Sequence, residues 1–161
     1  MGGGSYRACV VIVATDPGAG RVLWCERADH VGSWQFPQGG IHDGEEAVTA
    51  AFREAAEELG VAEWELVDVM PERVRYEFPP GVTKKGHRGQ EQVVVLLRYC
   101  GPAARAEAID PASVSRPEFA RCRWVRPEAV DLDEVPRFKR HAVAQALGWA
   151  VARMEQLRRS V

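Results

Sequence analysis

Residues Gly39 to Val61 run GGIHDGEEAVTAAFREAAEELGV, a glycine-rich loop feeding an amphipathic helix. Asp43 has the character of an N-cap, with Glu46 three residues on as its capping-box partner. Val48, Phe52, Ala55 and Leu59 recur at helical spacing and mark the expected buried face. Gly60 suits a left-handed helix stop. The opposite face decides the reading, because Glu54, Glu57 and Glu58 stand at i, i+3 and i+4 and share one side.

Like charges at that spacing each cost about 0.2–0.5 kcal/mol on an exposed helix. Arg53 can reach Glu57 or Glu46, but one guanidinium cannot neutralise the set. A hard divalent cation can, since Mg²⁺ favours carboxylate and carbonyl oxygen and keeps water in its remaining positions. The loop glycines add carbonyls that a cation can approach with no Cβ in the way. The bland alternative is a solvated acidic helix face, and three glutamates alone would favour it.

The full pattern changes the weighting. It reads Gly39-x5-Glu45-x7-Arg53-Glu54-apolar-x-Glu57-Glu58-x-Gly60-apolar. Seven fixed positions at about 7% each coincide on the order of 10⁻⁸ per start point. This pattern resembles the signature of the Nudix hydrolases. Ala55 departs slightly, standing where larger aliphatics are usual, which bears on packing more than chemistry.

Around that box, the length of 161 residues suits one domain, over 6–161, preceded by a flexible leader at 1–5 (MGGGS). The formal net charge of −2 argues against general coating of nucleic acid. Cys9, Cys25, Cys100 and Cys122 lack CxxC spacing and read as buried, reduced thiols. No apolar run reaches membrane-spanning length and no basic-then-apolar start is present, so a cytoplasmic enzyme is expected, with no membrane partner.

Tyr6–Ala14 and Arg21–Arg27 read as strands joined in a hairpin, and Trp34–Phe36 as a short extended piece. Glu65–Val69, Val74–Phe78, Gln92–Tyr99 and Ala120–Val125 also read as strands. Residues 79–89 read as a polar, basic loop and 101–117 as irregular chain. The last helix spans Pro136–Arg158, with Val143, Leu147, Ala150 and Met154 on one stripe. The fold class is α/β. The resemblance implies a Nudix α/β/α sandwich, a mixed sheet with the signature helix and a C-terminal helix.

The likeness extends beyond the box. WQFPQGGI at 34–41 resembles the approach to the box in bacterial RNA pyrophosphohydrolases and dinucleoside polyphosphate hydrolases. Tyr6-Arg7, Arg75-Tyr76, Gly89-Gln90-x-Gln92, Pro117-Glu118-Phe119, Arg123-Trp124-Val125 and Phe138-Lys139-Arg140 continue it in order. Val93-Val94-Val95 departs, standing where Lys-Trp-Phe is usual, and the loop from Pro79 to Arg88 differs in length and composition.

By resemblance, Gly39, Glu54, Glu57, Glu58 and Glu118 hold Mg²⁺, for which Mn²⁺ can substitute. Glu54 or Glu57 serves as the base, and Arg53 orients the glutamates. Phe138 and Arg27 cover a nucleobase, although core packing and a solvated strand end are their plain alternatives. Tyr76 marks polyphosphate dinucleotide hydrolases or packs on the sheet, with nothing to choose between the two. Lys84 and Lys85 supply charge to a polyphosphate, and Ser33, Gln90 and Lys139 join the substrate site. His30, His42, His87 and His141 lack ligand spacing. The implied reaction is removal of pyrophosphate from a 5′-triphosphorylated RNA end. The alternatives are hydrolysis of diadenosine tetraphosphate and, from another class, a silent nucleotide-sensing domain.

Overall fold

The computed structural model describes residues 5–160. Among these residues the strands are β1 (Ser5–Thr15), β2 (Val22–Arg27), β3 (Trp34–Gln35), β4 (Gln38–Gly40), β5 (Trp64–Val69), β6 (Val74–Glu77), β7 (His87–Tyr99) and β8 (Phe119–Val125). The helices are α1 (Ala47–Leu59), α2 (Ala103–Glu107) and α3 (Arg140–Arg159). β1 and β7 run parallel at the centre of one mixed sheet, and the other pairings are antiparallel. Along the main path the strand order is β3-β2-β1-β7-β5, with β4 on β1, β6 on β7 and β8 on β2.

Strand alternation builds the two cores. Val10, Ile12 and Ala14 of β1, with Val95 and Leu97 of β7, pack beneath α1 beside Ala50, Ala51, Ala55 and Leu59. Val11 and Val13, with Val94 and Leu96, face α3 through Ala142, Ala146, Ala150 and Met154. Each fully buried large aliphatic contributes about 1.5–3 kcal/mol by leaving water. Helices on both faces of a mixed sheet make the expected α/β/α sandwich.

Several local expectations change. The β1–β2 hairpin is registered only at Thr15↔Val22, because β4 takes the same edge of β1 further along, at Cys9–Val11. Ser5, expected in the leader, begins β1; the rest of that leader, residues 1–4, lies outside the described residues. The basic loop ends earlier than residue 89, since Lys84 and His87 exchange backbone hydrogen bonds of 3.0 and 2.9 Å around a tight turn. Lys85 there adopts φ 51° and Gly86 φ 79°, as a two-residue hairpin turn requires. The stretch expected to be irregular contains α2, whose Ala106 carbonyl accepts from Trp124 Nε1 at 2.9 Å.

Asp43 does not cap the signature helix. α1 starts at Ala47, its N-cap is Glu46, and no side-chain oxygen caps it. The preceding residues form their own turn, with Glu45 N–H donating to His42 O at 2.9 Å. The buried face is Ala50, Ala51, Ala55 and Leu59, while Val48 and Phe52 are half-buried at its margin. Gly60 stops the helix at φ 73°, as expected. On α3 the stripe centres on Ala142, Ala146, Ala150 and Met154, with Val143 and Leu147 flanking it. Small alanines let that helix lie close to the sheet, displacing the larger residues to the sides. A 3₁₀ turn at Arg137–Lys139 precedes it. Cys9 and Cys25 are buried free thiols, but Cys100 is exposed, beyond the end of β7.

Candidate active site

Gly39 in β4 and Glu54 in α1 meet where the signature helix crosses the end of the sheet. A Cβ on Gly39 would stand 2.1 Å from Glu54 Cδ, so the carboxylate occupies space that any other residue would fill. Glu58 lies one turn further along the same face. Both are buried, at 8% and 6% exposure, whereas Glu57 turns to solvent with a side chain 60% exposed.

Arg53 organises this wall. Nε and Nη2 each donate to one carboxylate oxygen of Glu45, both at 2.9 Å. Nη2 also donates to the Gly40 carbonyl at 2.9 Å, and Nη1 donates to Glu54 Oε1 at 2.7 Å and approaches Glu57 Oε2 at 3.5 Å. These contacts commit all the N–H donors of a guanidinium. Arg53 therefore orients glutamates and has none left for a substrate. Its main partner is Glu45; of the two expected reaches, the one to Glu57 is made at 3.5 Å and the one to Glu46 is not. Hydrogen bonds from Arg53 and from the His42 N–H hold the Glu45 carboxyl down to about 2.

Glu58 has the opposite problem. Burial first, then Glu54 and Glu118, push its carboxyl up to about 9. Its Oε2 is buried with no hydrogen-bond partner. Among the described residues no three His, Cys, Asp or Glu side chains already converge as a ligand cage. Arg53 draws Glu54 and Glu57 toward itself, and Glu118 is exposed at the start of β8. The donor set still suits a hard cation. It offers a partnerless buried carboxylate oxygen, further carboxylates and a close-packed glycine loop, and Mg²⁺ takes few protein ligands beside its waters.

The cleft beside this wall holds about 300 Å³. Glu54, Glu58 and Glu118 form one side, while Arg7, Arg27, Lys84, Lys85 and Lys139 bring positive charge to the rest. Arg27 is braced by Asp29 through contacts of 2.9 and 2.7 Å. Lys84 Nζ stands 5.3 Å from the centre of the Phe78 ring. Lys139, placed by the 3₁₀ turn, is buried and lies 3.4 Å from Gln35 Oε1. Burial, followed by Arg27 and Lys84, lowers its ammonium to about 8. Tyr76 is buried in the cleft wall, and its hydroxyl donates to Gln90 Oε1 at 2.6 Å. Burial raises its phenol above the ordinary range.

Two expected residues are not brought to the cleft. Ser33 is buried beside a separate surface hollow near Asp133 and Arg140, its carbonyl accepting from Arg27 N–H at 2.9 Å. Phe138 packs into the core on the α3 side, its ring 5.8 Å from Tyr76 and 6.3 Å from Phe78. Three mutually tilted or edge-on rings fill that corner, and Tyr76 and Phe78 are the two that line the cleft. Arg7, Gln35 and Gln38, which lie in the stretches that carry the likeness but have no expected role in the site, also line the cleft, as does Phe78. Alternation along β1 could have revealed Arg7, since it shares a face with Cys9 and Val11. Its guanidinium packs over Gly40 and makes no ion pair among the described residues.

The sequence pattern that defines the NUDIX domain matches residues 5–146. The chain belongs to the Nudix family. It is 42% identical over 148 residues to the RNA pyrophosphohydrolase of Dinoroseobacter shibae, covering 87% of this chain and 88% of that one. With the RNA pyrophosphohydrolase of Novosphingobium aromaticivorans it shares 40% identity over 153 residues, covering 88% and 90%. Among solved structures, a possible asymmetric diadenosine tetraphosphate hydrolase from Jonesia denitrificans superposes with a TM-score of 0.67 at 18% identity. That match covers 92% of this chain and 96% of the other, and it speaks to the fold alone. As a Nudix hydrolase, the chain acts on pyrophosphate bonds with the help of divalent metal ions. Among the described residues no helix is long and apolar enough to cross a membrane.

Proposed function

We propose that this Nudix hydrolase removes pyrophosphate from the 5′ end of triphosphorylated RNA, with Mg²⁺ as its preferred ion and Mn²⁺ able to replace it. One observation carries the reading. A basic cleft wall and a carboxylate wall face each other across a cavity of about 300 Å³, and the carboxylate wall includes the partnerless Glu58 oxygen. The two walls suit a polyphosphate chain on one side and the cations that neutralise it on the other. The near full-length likeness to proteins named RNA pyrophosphohydrolase favours RNA as the nucleotide.

Glu54, Glu58 and Glu118, with the Gly39 carbonyl, would hold the metal. A divalent ion, when bound, polarises phosphoryl oxygens and lowers the pKa of water. Glu57 is the carboxylate with freedom to take a proton, because Arg53 touches it only at 3.5 Å and it is largely exposed. Water adds to a phosphorus, its proton passes to that glutamate, and the P–O–P bond breaks. Pyrophosphate leaves with the bonding pair, and a 5′-monophosphate remains. Arg7, Lys84, Lys85 and Lys139 hold the phosphate nearest the nucleoside by charge-assisted contacts. Gln35, Gln38 and Gln90 present amides to the nucleotide.

The test is to incubate the protein and Mg²⁺ with 5′-triphosphorylated RNA beside diadenosine tetraphosphate and to identify the products. Release of pyrophosphate with a 5′-monophosphorylated RNA supports the proposal. Cleavage of the dinucleotide while the RNA stays intact moves the assignment to the dinucleoside polyphosphate hydrolases. Binding of both without turnover means a sensing domain.

A further inference from the structure

Behind the carboxylate wall lies a second cavity, of about 430 Å³, lined by Glu54, Glu57, Glu58, Ser115, Arg116 and Glu118. It shares Glu54, Glu58 and Glu118 with the basic cleft, so those carboxylates form a partition reached from both sides. Of its lining, Ser115 and Arg116 have no part in the reaction described so far.

The cavity has three marks of a ligand site. Arg116 lies just before β8 among four glutamates, yet it makes no ion pair or side-chain hydrogen bond among the described residues. The Glu58 side chain is 6% exposed and its Oε2 has no partner, so a deeply buried polar atom bordering this cavity lacks its complement. The Ser115 hydroxyl is likewise without a hydrogen bond among the described residues.

The two cavities differ in what they can recognise. The basic cleft has aromatic rings and side-chain amides, which suit a nucleotide. The second cavity has neither, and offers carboxylates, one hydroxyl and one guanidinium. Such a lining has no means of gripping a base. It suits a small, highly charged anion accompanied by divalent cations. Its volume is ample, since a water's share of the liquid is about 30 Å³. A guanidinium fork can take two phosphoryl oxygens at once, which a lone glutamate wall would repel.

We infer that the cavity walled by Ser115 and Arg116 is the subsite for the terminal two phosphates, those that leave as pyrophosphate. This rests on the polyphosphate reading above and adds a direction to it. The nucleotide lies in the basic cleft, the scissile linkage crosses the glutamate partition, and Arg116 grips the outgoing end. Arg116 is thus a substrate-binding residue, selecting ends that carry phosphates beyond the first.

The test is calorimetric titration of the full chain with inorganic pyrophosphate in magnesium chloride, which needs no turnover. Wild type binds, Arg116→Ala weakens binding at least tenfold, and Arg116→Lys, which keeps the charge but not the fork, weakens it about threefold. Monophosphorylated RNA lacks the terminal phosphates, and its affinity stays unchanged in both variants. Arg116 is exposed, so both variants keep the wild-type melting temperature. An unchanged pyrophosphate affinity in Arg116→Ala overturns the subsite, as does an equal loss for pyrophosphate and monophosphorylated RNA. If wild type leaves triphosphorylated RNA intact but pyrophosphate binding still depends on Arg116, the subsite stands and the RNA assignment falls.

Discussion

The carboxylate of Glu54 lies where the side chain of residue 39 would be, with an ideal Cβ on Gly39 falling 2.1 Å from Glu54 Cδ and 2.2 Å from Oε1. Loop and helix are therefore fitted to one another at the atom that a metal would use. Gly39→Ala forces Glu54 aside and separates it from Arg53. Overpacking of this kind costs about 1–3 kcal/mol, read from urea denaturation. Affinity for Mg²⁺ falls along with stability, and calorimetry shows the loss.

Glu57→Gln tests the proton acceptor. The residue is exposed and loosely held, so the melting temperature stays at the wild-type value. Turnover with Mg²⁺ falls about 10²–10⁴-fold, the range for loss of a general base. Wild-type turnover in this variant would transfer the role to Glu54.

The raised Glu58 carboxyl gives the metal-free protein a characteristic pH dependence. Between its ordinary value of 4.5 and about 9, the folded chain holds a proton that the unfolded chain has lost. Stability of the metal-free protein is thus greatest below that window and declines as pH rises through it. Melting curves in chelator from pH 5 to 9 should fall for wild type and flatten for Glu58→Gln. Added Mg²⁺ should restore the wild type most strongly at the alkaline end, because binding there has little proton to displace.

Glu45 acts at the other end of the scale. Its carboxyl is held at about 2 against an ordinary 4.5, so its contribution is present above 4.5 and is lost as pH falls toward 2. Glu45→Gln should be less stable than wild type at neutral pH, and the difference should close on acidification. Urea midpoints across pH 2–6 provide the check.

Lys139 tests the basic wall. Its ammonium titrates at about 8 rather than 10.5, so the free protein loses this charge as pH rises past 8. KM for triphosphorylated RNA should rise between pH 7 and 9, and Lys139→Arg should flatten that rise. The stability effect has the opposite sense. The unfolded lysine binds the proton more tightly, so native stability rises with pH between 8 and 10.5, an increment that Lys139→Met removes.

The order of residues alone determined the family, the α/β class, the signature helix with its stop at Gly60, and the glutamates beside a glycine loop. Those features are local: helical spacing places carboxylates on a face whatever surrounds them, and strand alternation marks a core. It could not say which glutamate is buried. Glu57 and Glu58 are neighbours in the chain, yet one faces solvent and the other is buried, a difference set by how the helix rests on the sheet. Nor could it choose between cap and clamp, because Glu45 is held by Arg53 from a later turn of structure while Asp43 caps nothing. Ser33 and Phe138 left the expected site, and Arg7 and Phe78 entered it, for the same reason. Contacts across long sequence separations decide which face of each strand or turn meets the cleft, and only the packed sheet supplies them.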